Sequence, residues 1–298
     1  MCGVLIVHDP EAGADWARAR AALDMLAHRG PDGEGLTGFD AAGGEAPPGA
    51  PARLILGHRR LAVLDLTAAG AQPMTCPQTG CRLIFNGEIY NFLELRAELE
   101  ALGERFATNT DSEIILAAWR RWGEAAFARF NGMWALALFD HPSGDVIVSR
   151  DRMGVKPLYV ARRGRRMALA SEIRPALAAL DLPARPNPGV VFDFLVAGLT
   201  DHDPETFFAG VERVPAGALW RVKPNGEVTK GRFHHWPGAD ERAAPDPDGR
   251  SGAGRGRQSY RRVMRFYAAA RPIKSAINFC VSRSARAGIC PASAQICS

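Results

Sequence analysis

The second residue of the chain is a cysteine, placed between the start methionine and an apolar run that begins at Gly3. Initiator methionine is generally removed when the next residue is small, and removal would leave Cys2 with a thiol and a free α-amino group. The thiolate is the nucleophilic form of cysteine, and a free thiol needs a base to form it. An α-amino group titrates close to neutral pH, so it could be that base, as in N-terminal threonine nucleophiles. This pair of groups predicts acyl transfer, in which the sulfur attacks an amide and forms a thioester.

Such a reaction also needs donors for an oxyanion and groups that hold the substrate. In the stretch NGEIYN, Asn86 offers a side-chain N–H and Gly87 offers a backbone N–H that a substrate can approach closely. For an amino-acid substrate, Arg60 could bind the carboxylate through two donors, and Asp111 could pair with the ammonium. Each residue also has a structural explanation: Cys2 as a small buried residue, Arg60 as a surface arginine, Asn86 and Gly87 as a turn, and Asp111 as a helix-start residue. Of the two adjacent arginines, we expect Arg59 to be the solvated one.

The elements that must position these residues come in blocks. Strand patterns cover residues 2–8, two runs within 52–66, and the stretches 81–91, 132–140, 145–151, 157–163, 166–172, 217–222 and 227–233. Helix patterns cover 15–29, 91–103, 110–123, 173–180 and 190–197, while 31–35 and 37–52 are predicted as loops. Thr110 and Glu113 have capping-box spacing at the start of one helix. Because most connections are short and antiparallel, we predict an α+β fold with stacked antiparallel sheets flanked by helices.

The composition excludes several classes of protein. No stretch approaches the roughly 18 uninterrupted apolar residues of a membrane span, and the N-terminus lacks a signal-peptide pattern, so we expect a cytoplasmic protein without membrane contact. Residues 241–298 carry 11 Lys and Arg against 3 Asp and Glu, whereas residues 1–240 have a net charge of −3. The basic character therefore belongs to the last fifth of the chain, which argues against nucleic-acid binding by the fold.

The cysteines and histidines do not have the spacing of a metal site. Six cysteines are scattered along the chain, and we expect reduced thiols rather than a disulfide framework. Cys76 and Cys81 lack a second pair or nearby histidines at zinc spacing. We therefore predict no metal ligands, and we assign no histidine to catalysis.

Seven stretches together resemble one known family: MCGV, HRGPDGEG, GHRRLAVLDL, NGEIYNFLELR, TNTDSEIILAAWRRWG, FNGMWALALFD and RDRMGVKPLY. They are similar to the N-terminal class II glutamine amidotransferase domain of glutamine-hydrolysing asparagine synthetases, and they occur in the family order. The resemblance runs from residue 2 to about residue 235. It implies the four-layer αββα sandwich of N-terminal nucleophile hydrolases, which agrees with the blocks of strands and helices.

The resemblance also implies the residues of a glutamine site. Cys2 matches the N-terminal nucleophile that forms a thioester, and Asn86 and Gly87 match the oxyanion hole. The positions that match glutamine-binding contacts are Arg60, Leu64, Asn86, Gly87, Glu88 and Asp111. Arg60 and the strand after it, through Leu64, correspond to contacts with the glutamine carboxylate and backbone, and Asp111 to the ligand of the amino group. Glu88 would lie beside the substrate.

The family likeness ends near RFHHW, and residues 236–298 form a basic, irregular tail for which no fold is predicted. In the family a synthetase domain follows, with a Ser-Gly-Gly-x-Asp-Ser loop that cradles phosphate, and no such stretch occurs here. We expect no cofactor for the glutaminase half, with ATP and magnesium needed only by a synthetase domain. Partners expected from the resemblance are glutamine, a synthetase domain or chain, and a second copy in a homodimer. Two alternatives stay open, namely a glutamine-binding module without activity and a non-functional truncated fragment.

Overall fold

A computed structural model describes residues 1–63 and 65–235 of the chain. Within these residues two antiparallel sheets stack on each other. The first sheet has the order β11-β9-β10-β1-β4-β2-β3, and the second has the order β13-β12-β8-β7-β6-β5. The strands are β1 (Gly3–His8), β2 (Gly33–Phe39), β3 (Glu45–Ala46), β4 (Leu54–Arg60), β5 (Met74–Thr75), β6 (Arg82–Ile89), β7 (Gly132–Asp140), β8 (Asp145–Arg150), β9 (Tyr159–Arg163), β10 (Arg166–Ala170), β11 (Val211–Arg213), β12 (Ala218–Val222) and β13 (Val228–Arg232).

The described residues form six α-helices. They are α1 (Trp16–Asp24), α2 (Phe92–Ala101), α3 (Asp111–Trp122), α4 (Ala126–Arg129), α5 (Ile173–Ala179) and α6 (Pro188–Ala197). Helices α1 and α5 pack on the first sheet, and α2, α3 and α4 pack on the second. This arrangement confirms the predicted α+β class and the four-layer αββα order, while the predicted tail at 236–298 lies outside the described residues.

Alternation along the strands sorts the apolar side chains into three layers. In β1, Val4 and Ile6 point into the layer between the sheets, whereas Leu5 and Val7 point toward α1 and α5. In β7, Ala135, Ala137 and Phe139 enter the same middle layer, whereas Trp134, Leu136 and Leu138 face α2, α3 and α4. A strand buried on both faces reads as a continuous apolar run, which explains the uninterrupted pattern of β1, β7 and β8.

Half of the predicted capping box is present at the start of α3. The Thr110 hydroxyl accepts a hydrogen bond from the Glu113 N–H at 3.3 Å. The Glu113 carboxylate does not reach back to Thr110; it accepts from the Ala107 and Thr108 N–H groups at 2.9 and 2.7 Å. Glu113 therefore fixes the loop before the helix, which holds Asp111 at the first position of α3.

The prediction of a glycine-rich loop after Pro31 is wrong, because the residues from Gly33 onward form strand β2. The glycines are needed for close approach rather than for turns. A Cβ on Gly35 would lie 2.1 Å from the Gln72 carbonyl oxygen, and one on Gly38 would lie 2.3 Å from the Trp16 ring. Similarly, part of the predicted surface loop at 37–52 belongs to β2 and β3.

The second strand predicted within 52–66 is also wrong. After β4 the chain leaves the sheet at Leu61, and residues 61–63 and 65–66 form no strand. The Leu61 N–H donates to the Cys2 Sγ, and the Ala62 N–H donates to Asp32 Oδ2 at 2.9 Å. Leu61 and Val63 of this segment line a cavity instead of extending the sheet.

Among the described residues, no helix is both long enough and apolar enough to cross a bilayer.

Candidate active site

At one end of the middle layer, the strand positions that face this layer carry polar instead of apolar side chains. In β1, Val4 and Ile6 are preceded by Cys2; in β4, Leu54 and Leu56 are followed by His58 and Arg60; in β6, Ile84 is followed by Asn86. Because side chains two residues apart share a face, these polar groups point into the space between the two sheets. The fold thus gathers them from three strands without any proximity in sequence.

A cavity of about 190 Å³ opens at this end of the middle layer. The predicted site residues that line it are Cys2, Arg60, Asn86, Gly87, Glu88 and Asp111. Leu64, the remaining predicted contact, lies outside the described residues. Residues that the sequence did not single out also line the cavity, among them His58, Gln72, Met133 and Lys156. The cavity has room for several water molecules or one small metabolite.

Cys2 lies at the mouth of the cavity and is half-buried. Its Sγ accepts a hydrogen bond from the Leu61 N–H at 3.3 Å and lies 3.6 Å from the Leu61 carbonyl oxygen. The Arg29 guanidinium donates to the Cys2 carbonyl oxygen at 3.1 Å and is itself paired with Glu172. These contacts fix the backbone of Cys2 and place its sulfur beside the end of β4.

The edge of β6 that faces the cavity is not paired with another strand, because β5 pairs only with Arg82 and Leu83. Two N–H groups on this edge are taken by side chains: that of Phe85 donates to Gln72 Oε1 at 2.6 Å, and that of Ile89 donates to Asp111 Oδ2 at 3.0 Å. Since N–H groups two residues apart point to the same edge, the Gly87 N–H lies between them. It is therefore directed to the side on which the cavity opens.

Gly87 must be a glycine because the backbone of β7 lies close to it. A Cβ at this position would be 2.2 Å from the Met133 carbonyl oxygen and 2.8 Å from the Trp134 Cα. Backbone atoms of a central strand cannot yield by that distance, so the strand accepts no side chain here. The sequence pattern Asn-Gly therefore marks a strand position rather than the turn that this dipeptide usually favours.

Asn86 is buried, and its Nδ2 has no hydrogen-bond partner within the described part of the chain. A buried donor without an acceptor costs about 1–3 kcal/mol, so such groups are exceptions that call for an explanation. A negatively charged oxygen bound between Asn86 and the neighbouring Gly87 N–H would supply the missing acceptor. A side-chain amide and a backbone N–H lining one cavity are donors of the type that forms an oxyanion hole.

Arg59 and Arg60 point to opposite faces of β4. The Arg60 guanidinium lines the cavity and donates to the carbonyl oxygens of Asp65 and Thr67, the latter at 2.7 Å. A guanidinium has five N–H donors, so further donors remain for an anion. Arg59 was expected to be the solvated neighbour, and this is wrong: its side chain is 15% exposed and pairs with Asp24 and Glu34.

Asp111 is buried at the N-terminus of α3, and burial raises the pKa of its carboxyl to about 6. The hydrogen bond from the Ile89 N–H opposes this rise in the pKa, and the negative charge of Glu88 adds to it. A cation bound next to Asp111 would compensate the charge that has lost its hydration. One cavity thus contains a guanidinium and a carboxylate, and this pair of opposite charges is complementary to a zwitterion such as a free amino acid.

His58 and Gln72 hold the strand that carries Asn86, and sequence patterns did not mark either of them. His58 is fully buried, and its Nε2 lies 3.1 Å from the Phe85 carbonyl oxygen. Burial lowers the pKa of His58 to about 4, so the ring is neutral at neutral pH and donates through Nε2. Gln72 accepts from the Phe85 N–H and donates to Ser112 Oγ at 3.2 Å. Phe85 is therefore fixed through both of its backbone polar groups.

A family model described as a glutamine amidotransferase domain matches residues 1–234 of the chain. The chain belongs to this family. The amidotransferase domain is similar to two asparagine synthetases (glutamine-hydrolysing) of Bacillus subtilis (strain 168). It is 31% identical to asparagine synthetase 1 over 238 residues, a match that covers 77% of this chain and 34% of the relative. It is 33% identical to number 3 over 199 residues, covering 66% of this chain and 30% of the relative. The chain thus spans about a third of the length of these relatives.

A solved structure shows the same fold as the amidotransferase domain. It is the glutamine phosphoribosylpyrophosphate amidotransferase from B. subtilis complexed with ADP and GMP, with a TM-score of 0.53 and 20% identity. The match covers 79% of this chain and 50% of that chain. At this level of identity the similarity concerns the fold, which is that of an amidotransferase with stacked antiparallel sheets.

Proposed function

We propose that this domain hydrolyses glutamine to glutamate and ammonia through a thioester on Cys2. The observation that carries the proposal is the single cavity lined by a thiol, two oxyanion donors and two groups of opposite charge. These groups come from β1, β4, β6 and α3, which are distant in sequence. Membership of the glutamine amidotransferase family supports glutamine as the amide that is attacked.

In this proposal Met1 is removed, and the α-amino group of Cys2 takes the thiol proton, through a water where the two are not in direct contact. The sulfur attacks the side-chain carbonyl carbon of glutamine, and the oxyanion accepts hydrogen bonds from Asn86 Nδ2 and the Gly87 N–H. Collapse of this intermediate transfers the proton to the leaving nitrogen and releases ammonia. Water then attacks the thioester, and the α-amino group accepts a proton from this water. Glutamate is released, and the sulfur takes up the proton to regenerate the Cys2 thiol.

The two charged residues select the substrate. Arg60 binds the α-carboxylate of glutamine, and Asp111 binds its α-ammonium, so the side-chain amide extends toward Cys2. We retain Leu64 and Glu88 as predicted contacts, Leu64 for the glutamine backbone and Glu88 beside the bound amide. An amide without the amino-acid head group would lose both ionic contacts.

In the longer relatives named as asparagine synthetases, a further region makes up the rest of the protein. We propose that ammonia from this domain serves the ATP-dependent amidation of aspartate in such a complete enzyme, whether the synthetase region belongs to the same chain or to another. ATP and magnesium would be needed only there. The glutaminase half needs no cofactor in the mechanism given above.

The test is release of glutamate by the purified full chain. Wild-type protein is expected to convert glutamine to glutamate and ammonia, and hydroxylamine is expected to divert the thioester to γ-glutamyl hydroxamate. Cys2→Ala should abolish both products, whereas Cys76→Ala is a matched control at another cysteine. Glutamine binding detected by calorimetry without any glutamate would overturn the enzymatic proposal and leave a binding module.

The role of the α-amino group needs a separate experiment. A chain with a cleavable N-terminal extension keeps the thiol of Cys2 but blocks its amino group. It should release no glutamate until a protease removes the extension directly before Cys2. Equal activity before and after cleavage would contradict the proposed base.

A further inference from the structure

The hairpin that joins β5 to β6 carries two cysteines directly opposite each other. The register pairs Met74 with Leu83 and Thr75 with Arg82, so the next pair is Cys76 with Cys81. The Cys76 N–H donates to the Cys81 carbonyl oxygen at 2.9 Å. Hydrogen-bonded pairs in antiparallel sheets have Cα atoms about 5.5 Å apart, and disulfides span Cα separations of about 4.4–6.8 Å. We therefore infer from the register that the two Cα atoms lie within the range that a disulfide spans.

Both side chains lie on the same face of the hairpin. Residues opposite each other in an antiparallel pair share a face, and Cys76 and Cys81 belong to the same apolar cluster as Met74 and Leu83. Their exposed fractions are 3% and 2%, and both are free thiols. Each sulfur contacts a different partner, so bringing them together requires rotation about the Cα–Cβ bonds.

The two thiols have different electrostatic surroundings. Cys76 Sγ lies 3.6 Å from Arg120 Nη1 and 3.3 Å from Gln78 Oε1. Arg120 also pairs with Glu104, and its Nη1 donates to Cys76 Sγ, a contact that favours negative charge developing on the sulfur. Cys81 Sγ lies 3.4 Å from Asp140 Oδ1, and burial raises the pKa of the Cys81 thiol. Cys76 is therefore the better nucleophile of the pair.

A second cavity, of about 170 Å³, reaches Cys76. Arg120 and Arg105 line it together with residues of the loop before α3, such as Phe106 and Thr108. It is separate from the glutamine cavity, since the two share no lining residue. A small reagent can thus approach the sulfur of Cys76 from the side of Arg120.

We propose that Cys76 and Cys81 form a thiol–disulfide exchange site that reacts with low-molecular-weight disulfides. The Cys76 thiolate attacks one sulfur of the reagent R–S–S–R, which forms a mixed disulfide and expels one thiolate RS⁻. The Cys81 thiol loses its proton, and its sulfur attacks Cys76 Sγ, which forms the Cys76–Cys81 disulfide and expels the second RS⁻. The two cysteine protons neutralise the two leaving thiolates. The cysteine pair is oxidised by two electrons, and the reagent is reduced to two thiols. This reaction does not depend on glutamine hydrolysis.

The test uses the reduced full chain and bis(2-hydroxyethyl) disulfide, followed by alkylation of the remaining thiols and digestion with trypsin. Cleavage after Arg60 and Arg82 gives one peptide, 61–82, that contains both cysteines and no others. We expect this peptide to lose two hydrogen masses and to escape alkylation. A peptide alkylated on both cysteines, after Cys2 in the same sample has reacted fully, would overturn the proposal.

Single variants assign the order of the two steps. Cys81→Ser should accumulate the mixed disulfide on Cys76, whereas Cys76→Ser should leave Cys81 free for alkylation. Arg120→Gln should slow the first step several-fold, and Arg120→Lys should restore most of the rate; Arg105→Gln is a matched control in the same cavity. Reaction of Cys81 in Cys76→Ser as fast as that of Cys76 in Cys81→Ser would contradict the assignment of the nucleophile, and with it the proposal.

Discussion

Cys2 and Cys76 are thiols on opposite sides of the second sheet. Cys2 lies in the middle layer between the sheets, half-buried, beside the unpaired edge of β6. Cys76 lies on the helix side of the sheet, within the cluster that packs against α2, α3 and α4. Each lines a small cavity that also contains an arginine, Arg60 in one case and Arg120 in the other. The difference lies in the other groups that surround each sulfur.

The Cys2 cavity contains donors that can stabilise an oxyanion, whereas the Cys76 hairpin contains a second thiol. Asn86 and Gly87 line the same cavity as the first sulfur and carry N–H groups, which suits attack on a carbonyl group. Cys81 lies opposite the second sulfur, which suits attack on another sulfur. The two proposals therefore assign carbon chemistry to one thiol and sulfur chemistry to the other because the neighbouring groups differ.

The largest expected difference between the two thiols is in glutamine hydrolysis. Cys2→Ser keeps the shape of the nucleophile but replaces the thiol by a much less acidic hydroxyl, which the same α-amino group deprotonates to a smaller extent. We expect glutamate release to fall by at least about 10³-fold. Cys76→Ser should stay within about twofold of the wild type, since Cys76 does not line the glutamine cavity. Steady-state assays of glutamate release by Cys2→Ser and Cys76→Ser measure the two rates. Equal losses of activity in the two variants would contradict the distinction between the sites.

The next largest effect concerns the oxyanion donors that only the Cys2 site has. Asn86→Ala removes one donor and should lower kcat by about 10²–10³-fold, with a smaller change in KM. Asn131→Ala is the matched control, because Asn131 is exposed just before β7. Exchange of bis(2-hydroxyethyl) disulfide at Cys76 should be unchanged in Asn86→Ala. A loss confined to KM would mean that Asn86 binds the ground state rather than the oxyanion.

Much of this arrangement could be predicted from the sequence. The strand blocks gave the α+β class, and the motifs around Cys2, Asn86 and Asp111 marked residues that the structure brings into one cavity. Alternation also extends from Val4 back to Cys2, so the face of the nucleophile follows from the pattern of β1.

The features that could not be predicted from the sequence depend on contacts between segments that are distant along the chain. The glycines of β2 were taken as loop residues, since nothing local shows that Gln72 and Trp16 pack on them. Arg59 was assigned to solvent because its partners Asp24 and Glu34 belong to other elements. The pairing of Cys76 with Cys81 depends on the hairpin between β5 and β6, and β5 was not among the predicted strands, so its register could not be derived from the sequence.

The affinity for glutamine should depend on pH because of Asp111, and this effect should be smaller than those of the two substitutions above. The pKa of this carboxyl is raised to about 6 by burial, so its negative charge is present at pH 7 and is lost as the pH falls through 6. Binding of the substrate ammonium needs that charge, and glutamine affinity should be about tenfold weaker at pH 5 than at pH 7. Calorimetry on Cys2→Ala measures this without turnover.

The control for this pH dependence is Asp111→Asn, which should bind glutamine weakly and equally at both pH values. An unchanged pH dependence in Asp111→Asn would assign the titration to another group. Because Asp111 does not line the cavity at Cys76, Asp111→Asn should leave the rate of disulfide exchange unchanged at pH 5 and at pH 7.

The smallest effect is expected on the stability of the hairpin. Cys81→Ala removes one buried sulfur from the helix-side cluster while leaving the backbone pairing intact, and it should lower the free energy of unfolding by about 1 kcal/mol. Glutamine hydrolysis should remain within about twofold of the wild type, because Cys81 directly precedes β6 and does not line the cavity that contains Asn86. Urea unfolding of the reduced proteins gives the first value and glutamate release gives the second. A large loss of hydrolysis in a stably folded Cys81→Ala protein would show that the hairpin and the glutamine cavity are coupled through β6, and that the two thiol sites are not independent.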